Sequence, residues 1–230
     1  MEGAICIVMA LPLELFLCYI GMQVAELCIN KNVNNSLPII LLCLTPLFSF
    51  LEKDATPSTH TVTSEIIVNV PIEEVLNHII EFPHLEQPTE FIFRAGISYP
   101  IHAHIEGTGV GAIRYCTFST GSFVEPITVW QEPTLLAFDV LEQPKPMTEI
   151  SWYNLDAPHL DDYFLSKKGE FRMKAINKTQ TKITGTTWYI HKIKPEWYWQ
   201  IWSDKIIHKI HDRVLLHIKT NAEKKSYSNE

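Results

Sequence analysis

The stretch GTGVGAIRYCTFSTGSFVEPITVW, Gly107 to Trp130, decides how this chain folds. Its opening, Gly107-Thr108-Gly109-Val110-Gly111, has the look of a phosphate-cradling loop, but such a loop must open a helix to do that work. The next residues are Ile113-Arg114-Tyr115-Cys116-Thr117-Phe118, a run of β-branched and aromatic side chains. The glycines are therefore a hairpin turn between strands.

Working outward, period-two alternation begins at Pro100 and turn residues recur every 8 to 12 positions, the pattern of an antiparallel meander. Strands are predicted near 101–106, 110–118, 122–131, 134–142, 147–153, 164–176 and 180–191. Upstream, Thr61 to Val70 reads as a strand with Val62, Ser64, Ile66, Val68 and Val70 on one face. Pro71 then starts a short helix whose Glu73 and Glu74 sit at the positive end of its dipole. Its Ile72, Val75, Leu76, Ile79 and Ile80 form one apolar stripe.

Downstream, a long helix is predicted from Pro195 to about Lys224. Trp199, Trp202, Ile206, Ile210, Val214 and Ile218 are read as the stripe that covers the sheet, with Ile207 at its edge. Arg213 and His217 share that stripe and require a rim or a polar pocket, because unpaired buried charge is expensive. Asp204, His208 and His211 are read as a separate face. Two histidines and a carboxylate are the donor types of a zinc or iron site, and the plainer reading is a solvated or partner-facing surface. The cluster Trp197, Tyr198, Trp199 and Trp202 is open to three readings: core, pocket wall or membrane-interface belt.

The first part of the chain is different in kind. Gly3 to Ile29 is almost unbrokenly apolar and, at about 1.5 Å per helical residue, long enough for a bilayer core of about 30 Å. A second run, Leu37 to Leu51, is shorter and contains Pro38 and Pro46, so one or two spans are expected within residues 1–56. Met1-Glu2 supplies no basic region of the kind that precedes a cleaved signal. The polar segment Glu52 to Ser58 is a natural boundary, leaving 57–230 as one domain with a sizeable core.

Charge and cysteine content narrow the function. Of 19 basic and 26 acidic residues, the first 56 hold Lys31 and Lys53 against Glu2, Glu14, Glu26, Glu52 and Asp54. The remainder carries 17 against 21, net about minus four, which is no footprint for nucleic acid. Cys6, Cys18, Cys28 and Cys43 fall in the apolar runs and Cys116 stands alone in the rest, so nothing demands an oxidising compartment. A membrane location with the domain on the cytoplasmic side is the expectation.

Strand, short helix beginning Val70-Pro71-Ile72-Glu73-Glu74-Val75, curved meander and long C-terminal helix together resemble the helix-grip fold of the START and polyketide cyclase/dehydrase (SRPBCC) superfamily. More closely, GTGVGAIRYCTFSTGSFVEPITVW, EQPKPMTE (142–149), GTTWYIHKIKPEWYW (185–199) and SDKIIHKIHDRVLLHIK (203–219) resemble a bacterial group of its membrane-anchored members. The resemblance spans about residues 60–224 and departs at Leu76, where the superfamily often carries Trp.

The resemblance implies an α+β unit: a curved antiparallel sheet wrapped round the long helix, enclosing a hydrophobic cavity for a lipid, polyketide or other apolar molecule. It implies no particular reaction, because one fold hosts many chemistries. The expected cavity residues are Arg114, Tyr115, Trp188, Tyr189, Trp202, Ile206, Ile210 and Arg213. A binding module is the favoured reading, with the hydrophobic ligand and the membrane as partners and no cofactor. The alternative is a cyclase or dehydratase in which Glu125 or Glu149 pairs with His217 as acid and base.

Overall fold

In a computed structural model of the chain, residues 4–30, 56–148 and 163–227 are described. They belong to two compact units that divide near Pro57. In the first, α1 (Ala4–Asn30) is one helix with Pro12 inside it. Its segment Ile5–Glu26 is long and apolar enough to cross a membrane. Leu37 to Leu51, the expected second run, lies outside the described residues.

The second unit is built on a seven-stranded sheet: β1 (His60–Val68), β2 (Pro100–Glu106), β3 (Ile113–Phe118), β4 (Gly121–Gln131), β5 (Leu135–Asp139), β6 (Phe164–Asn177) and β7 (Gln180–His191). The order across the sheet is β1-β7-β6-β5-β4-β3-β2, and every pair is antiparallel. Register shifts occur at Pro100/His102, Ile127/Val129, Ser166/Lys168 and Ala175/Asn177. Each adds a residue to one strand, which bends it and deepens the curl. Two helices pack on the inner side, α2 (Ile72–Ile80) and the C-terminal α4 (Glu196–Tyr227); α3 (Phe91–Arg94) is a single turn. A curled antiparallel sheet gripping a long C-terminal helix is the helix-grip arrangement.

The glycine run is the β2–β3 turn. Gly107, Gly109 and Gly111 all have φ between 80° and 91°, a region L side chains avoid. That is why β3 starts at Ile113 rather than at 110. The strand expected at 134–142 ends as β5 at Asp139. Of the one expected at 147–153, Met147 pairs with Ile97 and the residues beyond Thr148 lie outside the described set.

The core joins all these parts. Val75, Leu76, Ile79 and Ile80 of α2 meet Val68, Ile127, Leu136, Met173 and Ile183 of the sheet, and Val214, Leu215, Ile218 and Ala222 of α4. Ile79, Ile183 and Ile218 are fully buried, each worth about 2–3 kcal/mol of apolar transfer. Packing is close at Gly169, where the Phe138 ring lies 2.4 Å from the place a Cβ would take.

The sheet-facing line of α4 is Ile207, Val214, Leu215, Ile218 and Ala222. This corrects the sequence reading, which ran the line through Trp202, Ile206 and Ile210, all three only half-buried. The reason is arithmetic. Each four-residue step overshoots a turn by about 40°, so Trp202 and Ile218, four such steps apart, point about 160° away from each other. The same rotation brings Asp204 and His211 under the helix, onto the sheet.

Candidate functional site

Two polar regions are built into the inner face of this sheet. The first lies on β3 and β4, towards the β2 edge. Arg114 and Glu125 are directly opposed in the β3/β4 register, and alternation turns both inward beside Cys116 and Ile127. Arg114 is 2% exposed and Glu125 6%. Arg114 Nη1 donates to Glu125 Oε2, and Nε donates to the Ile80 carbonyl at 3.2 Å. The guanidinium lies over the rings of Phe82, Phe138 and Phe171 at 5.7, 5.4 and 6.0 Å. Burial pushes the Glu125 carboxyl up, against the pull of Arg114. Burial also pushes the Cys116 thiol up to about 12, leaving it protonated and unreactive.

The second region runs under the N-terminal half of α4, where imidazoles are paired with hydroxyls. Ser64 of β1 is hydrogen-bonded to Nδ1 of His208 at 2.7 Å and to Nδ1 of His211 at 3.1 Å. His211 Nε2 meets Thr187 Oγ1 of β7 at 2.8 Å. A hydroxyl has one proton, so Ser64 donates to one imidazole and accepts from the other, and the two rings take opposite tautomers. Burial, helped by His208, lowers His211 to about 4, so it is neutral near pH 7. One turn earlier, Tyr189 donates its hydroxyl proton to Asp204 Oδ1 at 2.6 Å. The phenol is held well above its usual pKa by burial first and by Asp204 second.

This seam ends in a corner of rings. His191 stacks on His60 at 5.2 Å and on Tyr189 at 6.1 Å, His60 is tilted against Tyr189 at 5.3 Å, and Phe164 stacks on Tyr189 at 5.2 Å. His60 Nε2 is held by Glu196 Oε1 at 2.9 Å. His191 is 2% exposed; among the described residues its ring nitrogens make no hydrogen bond of full geometry, with the Ile193 backbone close enough to favour the charged ring. Burial, then the neighbouring His60, lowers its pKa.

The structure separates the expected site residues. Arg114 and Tyr189 face inward; Tyr115 and Trp188 face outward, Tyr115 stacked on His104 at 5.0 Å and Trp188 under Lys168 Nζ at 5.0 Å. Arg213 reaches a rim: it donates to the Glu86 carbonyl and, at 3.4 Å, to the Pro100 carbonyl. His217 meets the edge of Phe82 at 5.9 Å and pairs with Asn221 at 2.8 Å. Glu125 is committed to Arg114, and Glu149 lies outside the described residues. Asp204, His208 and His211 face the sheet: Tyr189 holds Asp204, Ser64 lies between the two imidazoles, and Thr187 takes the far nitrogen of His211.

Ser64, Thr187, His60, His191 and Glu196 were not expected. Their signal is period two: His60 and Ser64 share the face of Val62 and Val68, and Thr187, Tyr189 and His191 share the face of Ile183. A polar residue recurring on an otherwise apolar strand face is legible once the partner helix is placed.

No family model matches the chain, and no curated protein sequence matches it. Solved structures do. A norcoclaurine synthase point mutant from Thalictrum flavum, in complex with a transition-state analogue, is similar at 15% identity and a TM-score of 0.46, over 75% of this chain and 99% of that one. The Zhui aromatase/cyclase from Streptomyces sp. R1128 is similar at 13% identity and a TM-score of 0.46, over 74% and 96%. A protein from Nitrosospira multiformis is similar at 15% identity and a TM-score of 0.45, over 73% and 99%.

Proposed function

We propose that the chain is a membrane-anchored binding protein whose grip unit holds an apolar small molecule, of the lipid or polyketide class, on the inner side of its sheet. The observation that carries this reading is His191. Buried polar atoms are nearly always paired, and an orphan in an otherwise satisfied interior marks the place of a missing partner. Among the described residues three buried side-chain atoms lack one, and two of them are on His191. Around it are Tyr189 and Phe164, with Val62 and Ile207 packed against them. A mostly apolar wall with few convergent polar groups suits an apolar molecule with one polar end.

Native mass spectrometry of the full chain released from detergent, followed by organic extraction, tests this. The expected result is a co-purifying apolar molecule, lost in His191→Phe. An unliganded mass in the wild type, or equal loading of both, overturns it.

A second reading is favoured by the chain His208–Ser64–His211–Thr187, which links an exposed imidazole to an inward hydroxyl. In such a chain each group gives up one proton as it takes another, so a proton is passed along with no ionised group left in the interior, as acid–base work in a cyclase or dehydratase requires. Turnover of the extracted molecule by wild type but not by His211→Gln supports it. No change in the molecule's mass or chromatographic retention on incubation counts against it.

A further inference from the structure

The chain enters the grip unit beside the start of α4. Ser58 N donates to Glu196 Oε1 at 3.2 Å, and the same carboxylate holds His60 at 2.9 Å and Lys194 at 3.5 Å. Whatever tethers the unit through its N-terminal side therefore pulls at this end. Two large apolar side chains stand exposed on the helix here. Trp197 is 60% exposed and Ile201, one turn on, 48%. With Lys205 they form one outward row at four-residue spacing. Tyr163, 41% exposed, is at the same end, because its carbonyl accepts from Lys192 N at 2.7 Å.

The exposed charges described at this end are lysines. Lys192, Lys194 and Lys205 are exposed, with Lys205 Nζ 5.8 Å from the Trp202 ring. Among the described residues, the carboxylates at this end are engaged within the protein, Glu196 by Ser58, His60 and Lys194, and Asp204 by Tyr189 and Gln200. Exposed Trp and Tyr are the side chains that settle at a membrane–water boundary, and lysines beside them attract anionic headgroups.

From this we infer that the end of the unit bearing Tyr163, Trp197 and Ile201 docks onto the surface of a lipid bilayer containing anionic lipid. The inference rests on α1 being a membrane span, part of the proposed function. Docking sets the His60–His191 corner close to the bilayer, so an apolar ligand passes to it without crossing water.

The test uses the full chain, with its native cysteines replaced by alanine, in nanodiscs of phosphatidylcholine and phosphatidylglycerol in equal parts. Spin labels are placed at Leu15→Cys, Ile201→Cys and Leu216→Cys in separate samples. Leu216 is also exposed on α4 and lies about 22 Å further along it, so it serves as the aqueous reference. The expected result is relaxation of the Leu216 label by the water-soluble nickel complex NiEDDA. The Ile201 label is expected to be shielded from NiEDDA and relaxed by oxygen, as a label in lipid is. Trp197→Asp, a change at an exposed site, removes that shielding, and nanodiscs of phosphatidylcholine alone reduce it.

An Ile201 label as open to NiEDDA as that at Leu216, with the Leu15 label in hydrocarbon, overturns docking and leaves the anchor standing. A Leu15 label in water removes the anchor and the docking with it. Shielding of Ile201 that persists in lipid-free detergent, with spin–spin broadening, assigns the face to a second copy and overturns the proposal.

Discussion

Arg114 and Glu125 sit on β3 and β4 among Phe82, Phe138 and Phe171, whereas Ser64, Thr187, His208 and His211 sit under the first half of α4. Both regions are inward-facing and polar, and each solves the problem of burial by a different route. The first keeps full charges and satisfies them with one another. The second keeps His211 neutral and satisfies its ring with hydroxyls. A buried ion pair is strong only while both partners remain. A neutral hydrogen-bond chain tolerates the loss of a link but is undone by a proton. The two regions should therefore break under different insults, which makes the comparison testable.

Removing one charge gives the largest effect. Glu125→Leu strands the Arg114 guanidinium at 2% exposure and is expected to cost about 3–5 kcal/mol. Arg114→Met combined with Glu125→Leu is expected to recover most of that, since the apolar pair leaves no buried charge. Urea unfolding followed by tryptophan fluorescence decides the matter. A single variant no less stable than the double would mean that the pair is not a buried ion pair.

Acid attacks the other region. His211 is lowered from 6.5 to about 4, so between those values the unfolded chain binds a proton that the folded chain refuses. Its contribution is present in full above about pH 6.5 and lost as pH falls towards 4, by up to about 3 kcal/mol. Glu125 works in the opposite sense. Its carboxyl is raised by burial, so its contribution is present below the unfolded value and lost as pH rises through the folded one. Unfolding measured across pH 4 to 7 should show the wild type losing stability towards acid, with a shallower slope in His211→Gln. An equal slope in both would remove His211 as the cause.

The difference between the regions also explains what was readable beforehand. β2 to β7 could be placed to within a few residues because alternation and glycine turns are local signals, and α2 because its Pro71 start and apolar spacing are local too. Arg114 and Glu125 could be marked as inward candidates, yet their pairing depends on the β3/β4 register, which a single strand does not contain. The seam was misassigned for a different reason. A stripe drawn at four-residue steps drifts round a long helix, so Asp204, His208 and His211 were placed on a face of their own when they lie on the sheet. His60 and His191 needed two strands and a helix start brought together, a contact more than 130 residues apart for His60 and Glu196.

Steric demand sharpens the apolar side of the comparison. Gly169→Ala in β6 puts a methyl group where the Phe138 ring now lies, 2.4 Å away, and Phe138 is one of the three rings round Arg114. The ring has to move, at an expected cost of about 1–3 kcal/mol. The loss should be smaller when Arg114 and Glu125 are already replaced by Met and Leu, because the displaced ring then no longer caps a charge. Additive losses would show that Phe138 packs there without regard to the pair.

Ser64→Ala is the mildest of these changes and the one that reads the seam most directly. The hydroxyl serves two imidazoles at once, yet the partners it leaves are not equivalent: His208 is exposed and takes water in its place, while His211 keeps Thr187 on Nε2 and loses only its Nδ1 bond. One neutral hydrogen bond lost at a partly buried site costs about 1 kcal/mol. The more telling outcome is in the rings. With Ser64 present, its single proton forces opposite tautomers on His208 and His211; without it, that link is gone and each ring settles by its own remaining contacts. Two-dimensional nitrogen–proton correlation of the histidine rings distinguishes these states. Complementary tautomers in the wild type and independent ones in Ser64→Ala would establish a coupled chain, whereas the same tautomer on both rings in the wild type would break it.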